Sequence, residues 1–316
     1  MDHRNPLDAR SMGIMVVLCL IWGLQQVVLK AAAADVAPLL QIALRSGIAA
    51  VLVGLLMLRQ GVRWSPADGT LRPGLLVGFL FALEFLLVGE GLRFTSASHM
   101  VVFLYTAPIF VALGLHWRLP AERLAVPQWL GVVLAFGGIA VTFLGRGEPS
   151  RAWSDMLRGD ILALLAGVAW GATTVAVRLS SLAREPATKT LLYQLVGAFI
   201  LLTPAAFALG QGGFNPTPLA WGSLLFHALV VSFASYLAWF WLLRHYLASR
   251  LGVFSFLTPL FGVAFGVILL DEPLEPGFVT GALMVMAGIV MVSGHHWLKS
   301  ALTRSAIRPA PRHRRS

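Results

Sequence analysis

Glu84 is the residue of this 316-residue sequence most at odds with its neighbours, because it interrupts the apolar run Leu83-Glu84-Phe85-Leu86-Leu87. An ionised carboxylate facing an apolar solvent is costly, so Glu84 faces protein or a water-filled cavity, is paired, or is protonated. Two readings follow. Glu84 contacts a solute or exchanges a proton, or it makes a structural hydrogen bond or salt bridge. Glu90 lies six positions later, about 9 Å farther along a helix and on a different face, and reads as a residue at a mouth. Arg45 is the basic partner within reach of Glu84 or Glu90; its alternative is to extend its charged head toward a polar boundary. His99 and His227 could titrate near neutral pH as relays, or serve as hydrogen-bonded wall residues. Glu84, Glu90, His99 and His227 lack recurring metal-ligand spacing, so neither a metal nor another cofactor is expected.

Aromatic and amide side chains form a second group. Trp22-Gly23 is followed eight positions on by Lys30, and Trp170-Gly171 eight positions on by Arg178. Each Trp offers an aromatic surface to an apolar or cationic solute, or packs one part of the chain on another. Each Gly allows close helix approach. Gln25, Gln26, Thr173 and Thr174 follow within a turn and give these helices a polar stripe. Tyr105, Tyr236 and Trp239 are further contact candidates, as are Tyr193 and Gln194. Pro108 and Pro259 each remove a backbone donor inside an apolar segment, so they read as paired kinks, either hinges or static curvature. Thr106 and Thr258 can bond nearby carbonyls and contain the cost. Glu122 and Asp271-Glu272 read as helix caps or interfacial salt bridges, with gating as the alternative.

The elements that position these residues are apolar helices. Hydrophobic residues make up 58% of the chain and charged ones 12%, with mean hydropathy +0.79. A soluble domain carries about twice that charge. Gly13 to Leu29 and Gly131 to Gly145 contain no charge at all, and about 20 such residues cross a hydrocarbon core. Pro, Gly and charge divide the chain into ten spans near 12–30, 38–58, 73–92, 96–116, 126–145, 159–179, 190–209, 221–242, 250–270 and 277–296. Only Arg93 to Ser96 separates the third from the fourth, which requires a tight turn. The first run lacks a small-residue cleavage pattern and reads as a span, not a cleaved signal. With both termini in the cytoplasm, 17 Lys and Arg fall on that side and 5 on the other, while Arg45 and Arg178 lie within spans. That excess follows the positive-inside rule and favours an even number of spans.

The chain repeats itself. Trp22-Gly23 matches Trp170-Gly171, Leu92-Arg93 matches Leu243-Arg244, and Thr106-Ala107-Pro108 matches Leu257-Thr258-Pro259. The spacing from Glu122 to Gly131 recurs from Glu272 to Gly281, and Gly138-Ile139 matches Gly288-Ile289. Five spans per half is an odd number, so the halves enter the membrane from opposite sides, a common basis of alternating access. The units are 11–145 and 157–296, followed at 297–316 by a basic tail that reads as disordered and cytoplasmic.

This pattern resembles the drug/metabolite transporter superfamily in its EamA-type branch. The resemblance rests on the two Trp-Gly pairs with their basic residues, Thr95-Ser96-Ala97-Ser98 leading to Pro108, Glu122 ahead of Gly131, and Asp271-Glu272 ahead of Gly281. It implies an all-α integral membrane protein of ten transmembrane helices in two inverted five-helix repeats. It also implies export or exchange of small metabolites, amino acids or amphipathic compounds. The residues themselves leave Glu84 either on the solute path, where it offers a route to proton coupling, or in a structural hydrogen bond or salt bridge.

No G-x-x-x-x-G-K-[ST] loop is present, which argues against ATP-driven transport by this chain alone. The expected function is secondary active transport in a bacterial inner membrane, with lipids and a small solute as partners. A channel or facilitator is the alternative; a membrane enzyme or a scaffold is less well supported, because the unusual polar residues are scattered over many spans. The net charge of +10 lies largely in the tail and comes with no nucleic-acid-binding motif. Oligomeric state, coupling ion and substrate are not encoded in any feature of the chain.

Overall fold

Inside a bilayer every backbone N–H and C=O must find its partner within the protein, which restricts spanning segments to helices or closed barrels. The computed structural model describes residues 9–62, 68–120, 123–144, 151–245, 255 and 257–306. Its elements are α1 (Ala9–Ala31), α2 (Pro38–Arg59), α3 (Leu71–Gly91), α4 (Ala97–Leu104), α5 (Ala107–Arg118), α6 (Val126–Leu144), α7 (Arg151–Arg178), α8 (Ala187–Ala208), α9 (Pro218–Leu225), α10 (Tyr236–His245), α11 (Leu257–Leu270) and α12 (Pro276–Ala306). A π-helical stretch, Phe226–Ser235, joins α9 to α10. Among the described residues, seven helical segments are long and apolar enough to cross a membrane, including Ala97–Arg118 and Pro218–Trp239. Three shorter apolar helices accompany them: Val126–Thr142, Leu257–Leu270 and Pro276–Val292.

Polarity is arranged in the reverse of a soluble protein. Val51, Leu55, Leu58, Leu75, Phe79, Ile200 and Phe207 are exposed, whereas Gln26, Gln41, Arg45, Glu84, His99, Asp160 and His227 are buried. Water as the surrounding solvent would penalise both sets. Hydrocarbon outside, with the polar groups held inside a mainly apolar core, satisfies both, so the chain is a multi-pass, all-α membrane protein.

Both prolines lie where the sequence places its paired kinks. The fourth span is interrupted just ahead of Pro108, although Thr106 keeps right-handed helical backbone angles and Ala97–Arg118 remains one spanning segment. The interruption falls at Tyr105-Thr106 and the helix restarts at Ala107, with Pro108 in the first turn of α5. Proline has no N–H and its ring crowds the carbonyl four residues back, so position 108 suits a new helix start better than a helix interior. Thr106 Oγ1 donates to the Phe103 carbonyl at 2.6 Å, as expected. Pro259 likewise occupies the first turn of α11, where its neighbour Thr258 is buried beside Cys19 and Tyr105. The tight turn between α3 and α4 is present, closed by Phe94 and Thr95 N–H groups donating to the Gly91 carbonyl.

Close contacts recur at matching positions. Gly23 of α1 lies against Thr258, Phe261 and Gly262 of α11, while Gly171 of α7 lies against Ala107, Phe110 and Val111 of α5. A Cβ at Gly23 would sit 2.8 Å from the Gly262 nitrogen, and one at Gly171 would sit 2.7 Å from Phe110 Cβ. The long α6–α12 contact repeats the theme, with Gly131 facing Gly288 and Gly138 facing Gly281. Small residues there let the backbones approach to the distance that dispersion rewards in lipid.

Candidate functional site

Arg45 enters the bundle from α2 and is 2% exposed. Its Nη1 donates to Gln25 Oε1 of α1 at 3.4 Å, and its guanidinium carbon lies 4.5 Å over the Phe85 ring. Its Nε has no partner. One residue before Phe85 on α3, Glu84 is also buried, and its Oε2 has no partner either. The two groups lie within electrostatic reach of each other, yet no ion pair within 4.0 Å joins them. An aromatic face and one amide therefore hold the guanidinium, while the carboxylate keeps a bare oxygen. Buried charges left without hydrogen bonds cost several kcal/mol unless something else completes them.

Two tyrosines share this region. Tyr105, at the α4–α5 break, and Tyr236, at the start of α10, are electrostatic neighbours of Glu84 and of each other. Tyr236 also neighbours Arg45, and Tyr105 lies beside Thr258 and Cys19. The broken fourth span thus presents a phenol where its helical bonding is interrupted. Two aromatic pairs extend from these helices. Trp170 meets Tyr105 edge to face at 5.1 Å, and Trp22 meets Trp239 edge to face at 5.7 Å. Trp22 Nε1 donates to Ser235 Oγ at 2.9 Å. Gln26 is buried beside this group with its Oε1 unpartnered.

The remaining predicted residues lie elsewhere or are already committed. His227 is held through both ring nitrogens, at 2.9 Å from the Gln25 carbonyl and 2.8 Å from the Ser223 carbonyl, with Gln41 Nε2 at 3.2 Å. It buttresses the helix that carries Gln25. Glu90 is not Arg45's partner: it accepts from Arg93 at 3.1 Å and from Gln211, near the end of α3. Thr173 Oγ1 donates back to the Ala169 carbonyl at 2.9 Å and Thr174 Oγ1 to the Trp170 carbonyl at 3.1 Å, which leaves each hydroxyl its acceptor lone pairs for a polar stripe. Glu122 lies outside the described residues. Among those residues, no group of three His, Cys, Asp or Glu could hold a metal ion.

A second polar cluster, at the α3–α4 turn, includes residues that sequence reasoning missed. Asp160 of α7 accepts from Thr95 Oγ1 and pairs with His99 Nδ1 at 2.9 Å. The His99 ring stacks on Phe278 with centroids 3.9 Å apart. Lys30 Nζ donates to the Thr95 carbonyl. Glu272, just past α11, accepts from the Ala97 N–H at 2.6 Å, the Ser98 N–H at 2.9 Å and Ser98 Oγ at 2.6 Å. It therefore caps α4 from 174 residues away, and its charge also complements the positive end of that helix. Asp271 takes φ +51° to make the turn that delivers it. The sequence offered one signal for Asp160, an acid just inside the apolar run that starts at Gly159.

At the opposite end of the bundle, Lys189 of α8 pairs with Asp68 at 2.5 Å and Glu185 at 3.0 Å. Asp68 also accepts from Thr70, whose hydroxyl lies 3.0 Å from Tyr193 Oη. These contacts tie the start of α3 to α8.

Known proteins resemble this chain in sequence and in fold. The sequence profile of the EamA-like transporter family matches residues 10–144 and 157–294. A Bacillus subtilis protein described as the uncharacterized transporter YoaV is 28% identical over 278 residues, covering 88% of this chain and 94% of its own. An Escherichia coli protein described as a probable amino-acid metabolite efflux pump is 27% identical over 306 residues, covering 92% of this chain and 98% of its own. A solved crystal structure superposes with TM-score 0.62 at 18% identity, covering 96% of this chain and all of that one.

Proposed function

Because the chain belongs to the EamA-like transporter family, we propose that it is a secondary active exporter that moves small zwitterionic metabolites, amino acids above all, by alternating access. Membership makes it a transporter and not an enzyme; substrate, direction and coupling are our reading. The observation that carries it is the Arg45–Glu84 arrangement. Two opposite charges lie buried near each other, each with an unpartnered polar atom, between aromatic walls. A zwitterion completes both, its carboxylate on Arg45 and its ammonium on Glu84, and its side chain lies among Tyr105, Trp170, Trp22, Tyr236 and Trp239. The Escherichia coli relative, described as a probable amino-acid metabolite efflux pump, points the same way. In the empty site a proton on Glu84 replaces the ammonium, which gives a route to proton coupling.

The inverted ten-helix arrangement is part of this reading. The Gly23–α11 and Gly171–α5 contacts support it, since a two-fold axis exchanging the halves turns one into the other. So does the Gly131–Gly288 and Gly138–Gly281 pairing, which the same exchange maps onto itself. Lys30 then lies at the outer face, and the Asp160–His99–Glu272–Lys30 cluster is an outer seal, closed in this conformation. Both termini are cytoplasmic, and the host membrane is a bacterial inner membrane.

Counterflow in proteoliposomes tests the proposal. Labelled amino acid should accumulate transiently in vesicles preloaded with unlabelled amino acid, and the rate should saturate. Flux that rises linearly with concentration and shows no counterflow would mean a pore, and no flux under any gradient would leave a scaffold.

A further inference from the structure

The outer wall of the solute site carries a cleft with no assigned occupant. It has a volume of about 390 Å³ and lies between α1 and the junction of the π-helical stretch with α10. Gly13, Val17 and Leu18 of α1 form one side, and Ser235 and Ala238 the other. Val17 is 53% exposed, whereas Leu18 and Ser235 are buried, so the cleft has an open rim and a closed floor. Both walls belong to apolar segments long enough to span a membrane. What faces the opening is therefore hydrocarbon.

Three observations identify the occupant. First, the lining is apolar, with the Ser235 hydroxyl already engaged by Trp22 and the Val231 carbonyl. It offers a chain of methylenes dispersion contacts and offers a polar solute nothing. Second, Gly13 is exposed and a Cβ built there meets no atom within 4 Å, so this side of the groove is open to a chain lying in the bilayer. Third, the charge at the rim is Arg10, the second residue of α1, exposed and held 5.5 Å over the Trp241 ring. A cation at the end of a spanning helix sits at headgroup depth and attracts anionic lipid.

We propose that this cleft binds one acyl chain of an anionic phospholipid, with the lipid phosphate on Arg10. The floor of the cleft is Ser235, which holds Trp22, so the bound chain supports one wall of the solute site from behind. The binding step itself stands apart from the transport reading, because it is measured without any flux.

Native mass spectrometry of the purified full chain, after exchange into nanodiscs of phosphatidylglycerol or phosphatidylcholine, tests it. Wild type should retain one phosphatidylglycerol in preference to phosphatidylcholine. Gly13→Leu fills the groove without a clash and should lose that lipid. Gly54→Leu also projects into open space, on α2, and should keep it. Arg10→Gln should keep a lipid while its preference for phosphatidylglycerol falls about five-fold, the share of one basic side chain near a membrane surface. Absence of retained lipid in wild type overturns the proposal. So does equal loss in Gly13→Leu and Gly54→Leu, which would indicate annular lipid alone. Slowed flux of an amphipathic solute in Gly13→Leu, with retained lipid unchanged, makes the cleft a solute route and overturns it too.

Discussion

Arg45 and Glu84 occupy the same buried region of the bundle without touching, and each keeps a polar atom with no partner. A salt bridge serving stability alone would close that gap, since a half-satisfied buried pair is worse than an apolar one. Leaving it open means both groups remain available to a third party. The arrangement is also one-sided. At the register that matches Leu92 to Leu243, the position equivalent to Glu84 is Ser235, and Ser235 is occupied in holding Trp22. The duplicated helices give two similar walls, and only one carries the acid.

Arg45→Lys retains a positive charge but loses the planar group that lies over Phe85 and reaches Gln25. A flexible ammonium does not reproduce that geometry. We expect substrate affinity to fall about ten-fold, equivalent to ~1.4 kcal/mol, with the fold retained by circular dichroism. Affinity equal to wild type in a binding titration would remove the guanidinium geometry from recognition.

Glu84→Gln keeps the size of the side chain and removes its charge and its exchangeable proton. Transport should drop at least ten-fold, and whatever pH dependence the wild type shows should flatten. Intact transport with the wild-type pH profile, at equal expression, would take Glu84 out of the mechanism.

Much of this site was legible because charge in an apolar run is conspicuous. Glu84 and Arg45 stand out in sequence by type alone, and the Trp-Gly pairs by repetition. What remained hidden was partnership. Glu272 reads as a cap, but nothing local says that the capped helix is α4, 174 residues away. Asp160 and His99 likewise meet only through packing. That Thr173 commits its hydroxyl proton to its own helix was equally hidden, since a hydroxyl can bond the carbonyl four residues back. Pro108 was singled out as a kink, and what the sequence could not say is that the interruption falls at Tyr105-Thr106 and so places Tyr105 there.

Glu272 binds three donors of α4, and hydrogen bonds to a charged acceptor are worth about 1.5–3 kcal/mol each at most. Glu272→Ala should therefore lower the thermal midpoint in detergent and raise the labelling rate of a Ser98→Cys reporter by a membrane-impermeant maleimide. The less drastic Glu272→Gln should fall between. A midpoint and a labelling rate that both match wild type would mean that the cap neither stabilises the fold nor seals this face.

The Trp-Gly glycines make a sharper packing prediction. Gly23→Ala and Gly171→Ala each drive a Cβ to within 3 Å of the facing helix, and overpacking typically costs ~1–3 kcal/mol. Both should lower the thermal midpoint, whereas Gly54→Ala, which meets open space, should leave it unchanged or raised. Similar midpoints for all three would show that α1 and α7 do not need that close approach.

The most direct measurement compares the binding of one amino acid with two truncated forms, the amine lacking its carboxylate and the acid lacking its amine. Wild type should prefer the full zwitterion over both. In Arg45→Ala the advantage over the amine should vanish while the advantage over the acid persists, and in Glu84→Gln the reverse should hold. Variants that lose affinity for all three ligands in equal proportion, or for none, would contradict the assignment of one charge to each end of the substrate.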